Sequence, residues 1–215
     1  QRQMCIRDRD NDEYRRGNLT TWKKYGYDMA VLAGDKLFIY AFETAAKAFA
    51  LTDRADLVGK AISILANKAG IYGMIGGQSV DVEYTDRPVT KSQLEFIYEL
   101  KTAALLEAAM MIGAVLAGAD DNQVKSAEQI AHHVGMAFQI RDDILDVIST
   151  TEELGKPVKS DEKNNKTTYV TIYGIDGASK LVEEYSHTAM TLLDQVCPNA
   201  SFLKRLFEYL IVRKK

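Results

Sequence analysis

A chain of 215 residues, 47% hydrophobic and 27% charged, has the length and balance of one large globular domain with a buried core. Its formal net charge of −3 argues against nonspecific nucleic-acid binding, for which a basic face is expected. Its two cysteines, Cys5 and Cys197, form neither a disulfide framework nor a metal-ligand spacing, so a reducing compartment is expected, in the simplest case the cytoplasm. The longest suspicious apolar run, residues 108–119, falls short of the roughly 18 to 20 residues a bilayer span needs, and the charged start carries no signal-peptide pattern.

Near the start, Asp10, Asn11, Asp12 and Glu13 are followed by Arg15, Arg16 and Gly17, which places acids and a guanidinium pair within about two helical turns. Arginine pairs suit phosphate because each planar fork donates two hydrogen bonds; a charged surface run is the plainer reading. Residues 28–50 are apolar at helical spacing and broken by Asp35, Lys36, Glu43 and Lys47, the pattern of a buried helix in a soluble fold. A second helix is expected over 56–77. It closes on Gly73, Gly76, Gly77 and Gln78. Glycine inside a helix costs about 1 kcal/mol against alanine, so adjacent glycines call for a close approach or mark a helix end.

Helices over 92–118 and 122–147 follow, joined by a turn at 118–121. Within the first, Lys101 and Thr102 precede an apolar remainder, where a lysine either snorkels or pairs with an anion. That remainder serves equally as core or as an interface. A polar loop over 155–166 carries Lys156, Lys159, Lys163 and Lys166, mobile point charges on a segment able to close over a phosphate, or a solvated linker. Residues 167–173 are β-branched and aromatic, and would read locally as a strand. They lack a partner strand and are assigned helical. Helices over 179–196 and 201–212 end the chain, separated at Pro198 and Asn199.

The most informative stretch is Phe138, Gln139, Ile140, Arg141, Asp142, Asp143, Ile144, Leu145, Asp146. On a helix Asp142 and Asp146 lie one turn apart on one face, with Asp143 rotated by about a quarter turn or slightly more. Close carboxylates repel, so a helix carries them at a solvated end or beside a cation. Magnesium is the natural cation, because it takes hard oxygen ligands and is shared between one or two carboxylates and a substrate phosphate. Val134, Ala137, Ile140, Ile144 and Val147 recur at helical spacing, so the same helix buries a face and would hold its acids rigidly.

Taken in order, Asp10 to Asp12 with Arg15, Arg16 and Gly17, Leu32 to Asp35, Gly76 to Gln78 with Asp81, Lys101 with Thr102, Gly135 to Asp146, and Gly155 with Lys156 through Lys166 resemble the trans-isoprenyl diphosphate synthase family. The resemblance implies an all-α isoprenoid synthase type helical bundle around a central cavity, forming one domain over 10–215. It implies a cytoplasmic homodimer that uses magnesium to condense an allylic diphosphate with isopentenyl diphosphate, giving a farnesyl or geranylgeranyl diphosphate. Site residues carry over by motif. Asp142 and Asp146 would hold a magnesium ion, with Asp143 and Asp10 counted among the metal-binding acids. Arg15, Lys101, Lys156 and Lys166 would contact the allylic diphosphate, Gln139 would lie near it, Thr102 would face the allylic cation, and Arg16 would reach the isopentenyl diphosphate. No protein base is implied, and His132, His133 and His187 read as surface or core residues.

One part of the pattern departs from the family. Its first aspartate motif has two adjacent aspartates where this chain has Met4 and Cys5, poor ligands for magnesium, so Asp10 alone remains of that motif's acids. Residues 1–9 match nothing and are expected to be a foreign leader, with the family's upstream helices missing. Two other readings follow from this: a noncatalytic subunit of a heteromeric prenyl synthase, and a related terpene cyclase. Arg15, Arg16 and Gly17 together with Gly76, Gly77 and Gln78 favour the synthase over the cyclase.

Overall fold

A short antiparallel ladder, β1 (Tyr14–Arg15) paired with β2 (Asn18–Leu19), begins the computed structural model, which describes residues 13–15, 18–85, 87–148 and 167–212. Among the described residues every later element is helical: α1 (Thr21–Tyr25), α2 (Tyr27–Ala46) running into a 3-10 turn (Lys47–Ala50), α3 (Ala55–Ala69), α4 (Met74–Glu83), α5 (Lys91–Tyr98), a π turn (Glu99–Ala103), α6 (Ala104–Leu116), α7 (Asp121–Ile148), α8 (Tyr169–Val196) and α9 (Ser201–Val212). The expected all-α class holds. Among the described residues no helix is long and apolar enough to cross a membrane.

Helix α7 is the axis of the bundle. It starts at a reciprocal cap, in which the Gln123 amide N–H donates to Asp120 Oδ1 at 2.9 Å and the Asp120 amide N–H donates to Gln123 Oε1 at 3.0 Å, satisfying two donors that a helix start leaves orphaned. Its buried residues fall on more than one face, and many are small, including Ala127, Ala131, Gly135 and Ala137. Small side chains let neighbouring helices approach closely, and α6 and α8 pack along it more extensively than any other pair. Ile140 and Ile144 of α7 meet Leu94, Ile97 and Tyr98 of α5 and Tyr169, Ala178 and Val182 of α8 in the main core. A second core joins Ile130 and Val134 of α7 to Ala189 and Leu193 of α8 and Phe207 of α9. Helix α6 turns Ala104, Ala108 and Val115 inward, so that face of the apolar run is core.

Four expectations need correction. The helix expected over 56–77 is two helices, α3 and α4, broken at residues 70–73; the chain doubles back so tightly there that a Cβ on Gly73 would overlap the Lys68 carbonyl. The helix expected over 92–118 is interrupted by the π turn. The helix expected over 28–50 as a buried one is α2, which buries only Ala30 and Gly34; among the described residues its main packing partners are α1, the 3-10 turn and α3. The strand-like residues are helical from Tyr169 onward, and the helix expected to begin at 179 begins ten residues earlier and bends at Gly174 (φ 70°). A capping box overrides the local β-propensity: the Thr171 amide N–H donates to Thr168 Oγ1 and Thr171 Oγ1 accepts from the Thr168 amide N–H, fixing the first turn.

Candidate active site

The site is assembled where α4, the π turn and α7 meet. Helix α5 is launched by a capping box between Thr90 and Gln93 and runs into the π turn, whose wider coil takes in Lys101 and Thr102. Such single π turns inside helices concentrate at functional sites. Two glycines make room for this one. A Cβ on Gly77 of α4 would lie 2.7 Å from Leu100 Cβ, and one on Gly135 of α7 would lie 2.6 Å from the Ala103 Cα, so both positions exclude any larger residue unless the backbone shifts. The adjacent glycines thus have a close-approach reason at Gly77.

Lys101 does not snorkel. Its ammonium donates to Asp81 Oδ2 at 2.6 Å, an ion pair in which the lysine side chain is 25% exposed and the aspartate 5%. Partial burial of an ammonium is offset by such a partner, and the pair fixes where the Lys101 ammonium sits. One residue on, Thr102 Oγ1 donates to Gln139 Oε1 at 2.7 Å, which joins the π turn to α7. Gln139, Asp142 and Asp146 are spaced i, i+3 and i+7 on the unbroken α7 and therefore lie along one side of it. Asp142 is half-buried and Asp146 is 4% exposed.

Asp143 behaves differently from its neighbours. It is 3% exposed, and its Oδ2 accepts from the Tyr98 hydroxyl at 2.6 Å and from the Tyr169 backbone N–H at 3.1 Å. The Tyr98 and Tyr169 rings pack at 5.3 Å between centroids. Burial pushes the Tyr169 hydroxyl far above the ordinary phenol range, so it stays neutral.

Lys101, Thr102, Gln139 and Asp142, expected from sequence to do the chemistry, thus lie on the π turn and the helix it is bonded to. Arg15 forms part of β1 through its backbone. Asp10, Arg16, Lys156 and Lys166 lie outside the described residues. Asp81 had been matched by motif without a role. Its spacing of one turn from Gly77 and Gln78 was the available signal that it would share their face. Among the described residues no group of three or more His, Cys, Asp or Glu side chains is arranged to enclose a metal ion. The hard oxygen donors of Asp142 and Asp146 nevertheless suit magnesium, which fills its remaining positions with water and substrate phosphate.

A second polar cluster lies behind the π turn, beside a cavity of about 670 Å³ bordered by Glu99 and Leu100. The Lys68 ammonium donates to Glu107 and to Glu128, the latter at 2.6 Å, and Glu107 Oε1 lies 3.1 Å from His132 Nδ1. The Glu107 hydrogen bond raises the His132 pKa above its ordinary value. Burial pushes Glu107 upward, but its bonds to His132 and Lys68 prevail and hold its carboxyl below the usual carboxylate range. His133 is pushed down by burial and by the adjacent His132 charge. His132, read from sequence as a surface or core residue, is a member of a half-buried ionic network.

Comparison with known proteins identifies the family. The chain matches the polyprenyl synthetase family over residues 9–199. It is 37% identical over 204 residues to the farnesyl diphosphate synthase of Geobacillus stearothermophilus, covering 95% of this chain and 69% of that protein. It is 43% identical over 175 residues to the geranylgeranyl diphosphate synthase of Cyanophora paradoxa, covering 81% of this chain and 58% of that protein. The crystal structure of a geranyltransferase from Helicobacter pylori, complexed with magnesium and isoprenyl diphosphate, superposes with a TM-score of 0.81 at 32% identity, over 94% of this chain and 65% of that one. A helical bundle with these ordered motifs is the polyprenyl synthetase fold, and this chain belongs to that family. It spans 58% to 69% of the length of the two synthases.

Proposed function

We propose that this chain is a magnesium-dependent prenyltransferase that joins an allylic diphosphate to isopentenyl diphosphate and gives a short-chain prenyl diphosphate. The observation that carries the reading is the π turn. It sets a lysine held by Asp81 and a threonine bonded to Gln139 beside the helix that carries Asp142 and Asp146, in a family whose relatives include farnesyl and geranylgeranyl diphosphate synthases.

The chemistry follows from these groups. Asp142 and Asp146 would hold magnesium, which supplies charge neutralisation for a departing diphosphate. Lys101, held in place by Asp81, adds a preorganised positive charge where negative charge develops as the allylic C1–O bond breaks. The Thr102 hydroxyl donates its hydrogen bond to Gln139 Oε1, which leaves the oxygen's lone pairs to face the allylic cation. The π electrons of the isopentenyl double bond then form the new C–C bond, and the proton lost from the adjacent carbon passes to the released diphosphate. No side chain of this site has to act as the base. The same reading brings Arg15, Lys156 and Lys166 to the allylic diphosphate and Arg16 to the isopentenyl diphosphate, and includes a cytoplasmic homodimer.

The test is incubation of the purified chain with magnesium, labelled isopentenyl diphosphate and allylic diphosphates of increasing length. Condensation is expected, and Lys101→Ala is expected to lower kcat by about 100-fold, the scale set by loss of one preorganised transition-state contact. Hydrocarbon formed without isopentenyl diphosphate would replace the reading with a cyclase. Product seen only when a second, different subunit is added would make this chain the noncatalytic partner.

A further inference from the structure

Asp143 sits between two acids that line the site face of α7, yet its own carboxylate is engaged in the core. Its Oδ2 accepts two hydrogen bonds, from a side chain 45 residues upstream and a backbone amide 26 residues downstream. Both donors are inaccessible to water, since Tyr98 and Tyr169 are each 2% exposed. Turning this oxygen toward a metal ion would strip both donors of their acceptor, and each buried donor left unsatisfied costs about 1–3 kcal/mol. The two donors also occupy informative positions. Tyr98 is the last residue of α5, immediately before the π turn that carries Lys101 and Thr102. Tyr169 is the first residue of α8, three residues along the chain from Lys166.

We propose that Asp143 is a positioning residue rather than a magnesium ligand: its buried oxygen is the joint that fixes the π turn and the start of α8 against α7, and so sets Lys101 and Thr102 relative to Gln139 and Asp142. This rests on the prenyl-transfer reading of the site for its consequence, though not for its geometry. The Thr102–Gln139 hydrogen bond ties the π turn itself to α7, one turn from the Tyr98–Asp143 bond, and two points hold an orientation where one leaves a pivot. What the joint requires is an acceptor at the Oδ2 position. A metal ligand, by contrast, requires the negative charge.

That difference decides the experiment. Hydrogen exchange at the Tyr169 amide in the full chain reads the joint directly, and titration with Mn2+ in the presence of inorganic diphosphate, followed by electron paramagnetic resonance, reads the metal site. Asp143→Ala is expected to speed exchange at Tyr169 by about tenfold or more and to weaken Mn2+ binding by about tenfold, as loss of a group that supports a ligand does. Asp143→Asn, which keeps an acceptor oxygen and discards the charge, is expected to return both to within about threefold of the unaltered chain, whereas Asp142→Asn weakens Mn2+ by about tenfold or more and leaves Tyr169 exchange alone. Tyr98→Phe removes one donor and leaves the carboxylate intact. Weaker Mn2+ binding in that variant supports positioning, and it serves where Asp143→Ala does not fold. The inference is overturned if Asp143→Asn weakens Mn2+ as much as Asp142→Asn does, if Tyr169 exchange ignores Asp143→Ala, or if Tyr98→Phe binds Mn2+ as tightly as the unaltered chain. A chain that binds no Mn2+ but shows the expected exchange response counts against the prenyl-transfer reading and upholds the joint.

Discussion

Helices α2 and α7 both carry apolar residues at helical spacing, and they have opposite fates. Along α2 large side chains face outward, with Leu32 60% and Ile39 62% exposed, while Ile140 on α7 is 0% exposed. What separates them is the partner surface. Helix α7 has small residues on several sides, so α5, α6, α8 and the π turn can close around it. The two residues α2 buries, Ala30 and Gly34, are small as well. Apolar periodicity therefore locates a helix, and the placement of small residues shows where another helix can approach it.

The comparison can be broken or sharpened by substitution. Ile140→Ala should cost about 2–5 kcal/mol in urea denaturation, the usual range for an unrelieved core cavity; a cost below 1 kcal/mol would mean α7 is not the axis of the bundle. Gly135→Ala, which drives a methyl group into Ala103, should cost about 1–3 kcal/mol through overpacking, and melting the variant beside the parent checks it. The polar cluster behind the π turn should contribute about 1 kcal/mol through the His132–Glu107 bond, with a definite pH dependence. The His132 pKa is raised, so its share is whole below the ordinary 6.5 and is lost as pH climbs through the raised value. The Glu107 pKa is lowered, so its share is whole above the ordinary 4.5 and is lost as pH falls through the lowered value. The stability gap between the parent and His132→Gln, measured by denaturation across pH, should therefore be widest between 4.5 and 6.5. Smallest of all, Leu32→Ala and Ile39→Ala should fall within about 0.5 kcal/mol of the parent. A cost of core size at either position would show that α2 is covered in solution.

Much of this was readable in the residues. The periodicity of Val134, Ala137, Ile140 and Ile144 marked α7, and the turn ahead of it was placed at 118–121, where the Asp120–Gln123 cap forms. The ordered motifs singled out Lys101, Thr102, Gln139 and Asp142, which the fold sets on the π turn and on α7. The break at residues 70–73 was hidden because Ile71 and Ile75 continue a helical apolar pattern, although Ile71 is exposed. The π turn was hidden because the helices on either side each keep their own 3.6-residue period, and only the phase between them shifts. The engagement of Asp143 had no local signal at all. An aspartate reads as polar wherever it stands, and both of its donors come from distant parts of the chain. Local pattern reports which face of a helix is apolar, whereas a buried hydrogen bond between distant elements is a property of the assembled fold.

The π turn is, in effect, one surplus residue stored in an otherwise continuous rod running from Lys91 to Leu116. Each residue of an α-helix advances the chain by about 1.5 Å and turns it by about 100°. Deleting Leu100 would let the rod close into regular helix and would swing all of α5 by that rotation. The Tyr98 hydroxyl would leave Asp143, and Lys101 would no longer point at Asp81. The length of this segment, counted in whole residues, is thus as much a part of the site as the side chains it carries, and a shortened chain would lose the arrangement with every one of those side chains still present.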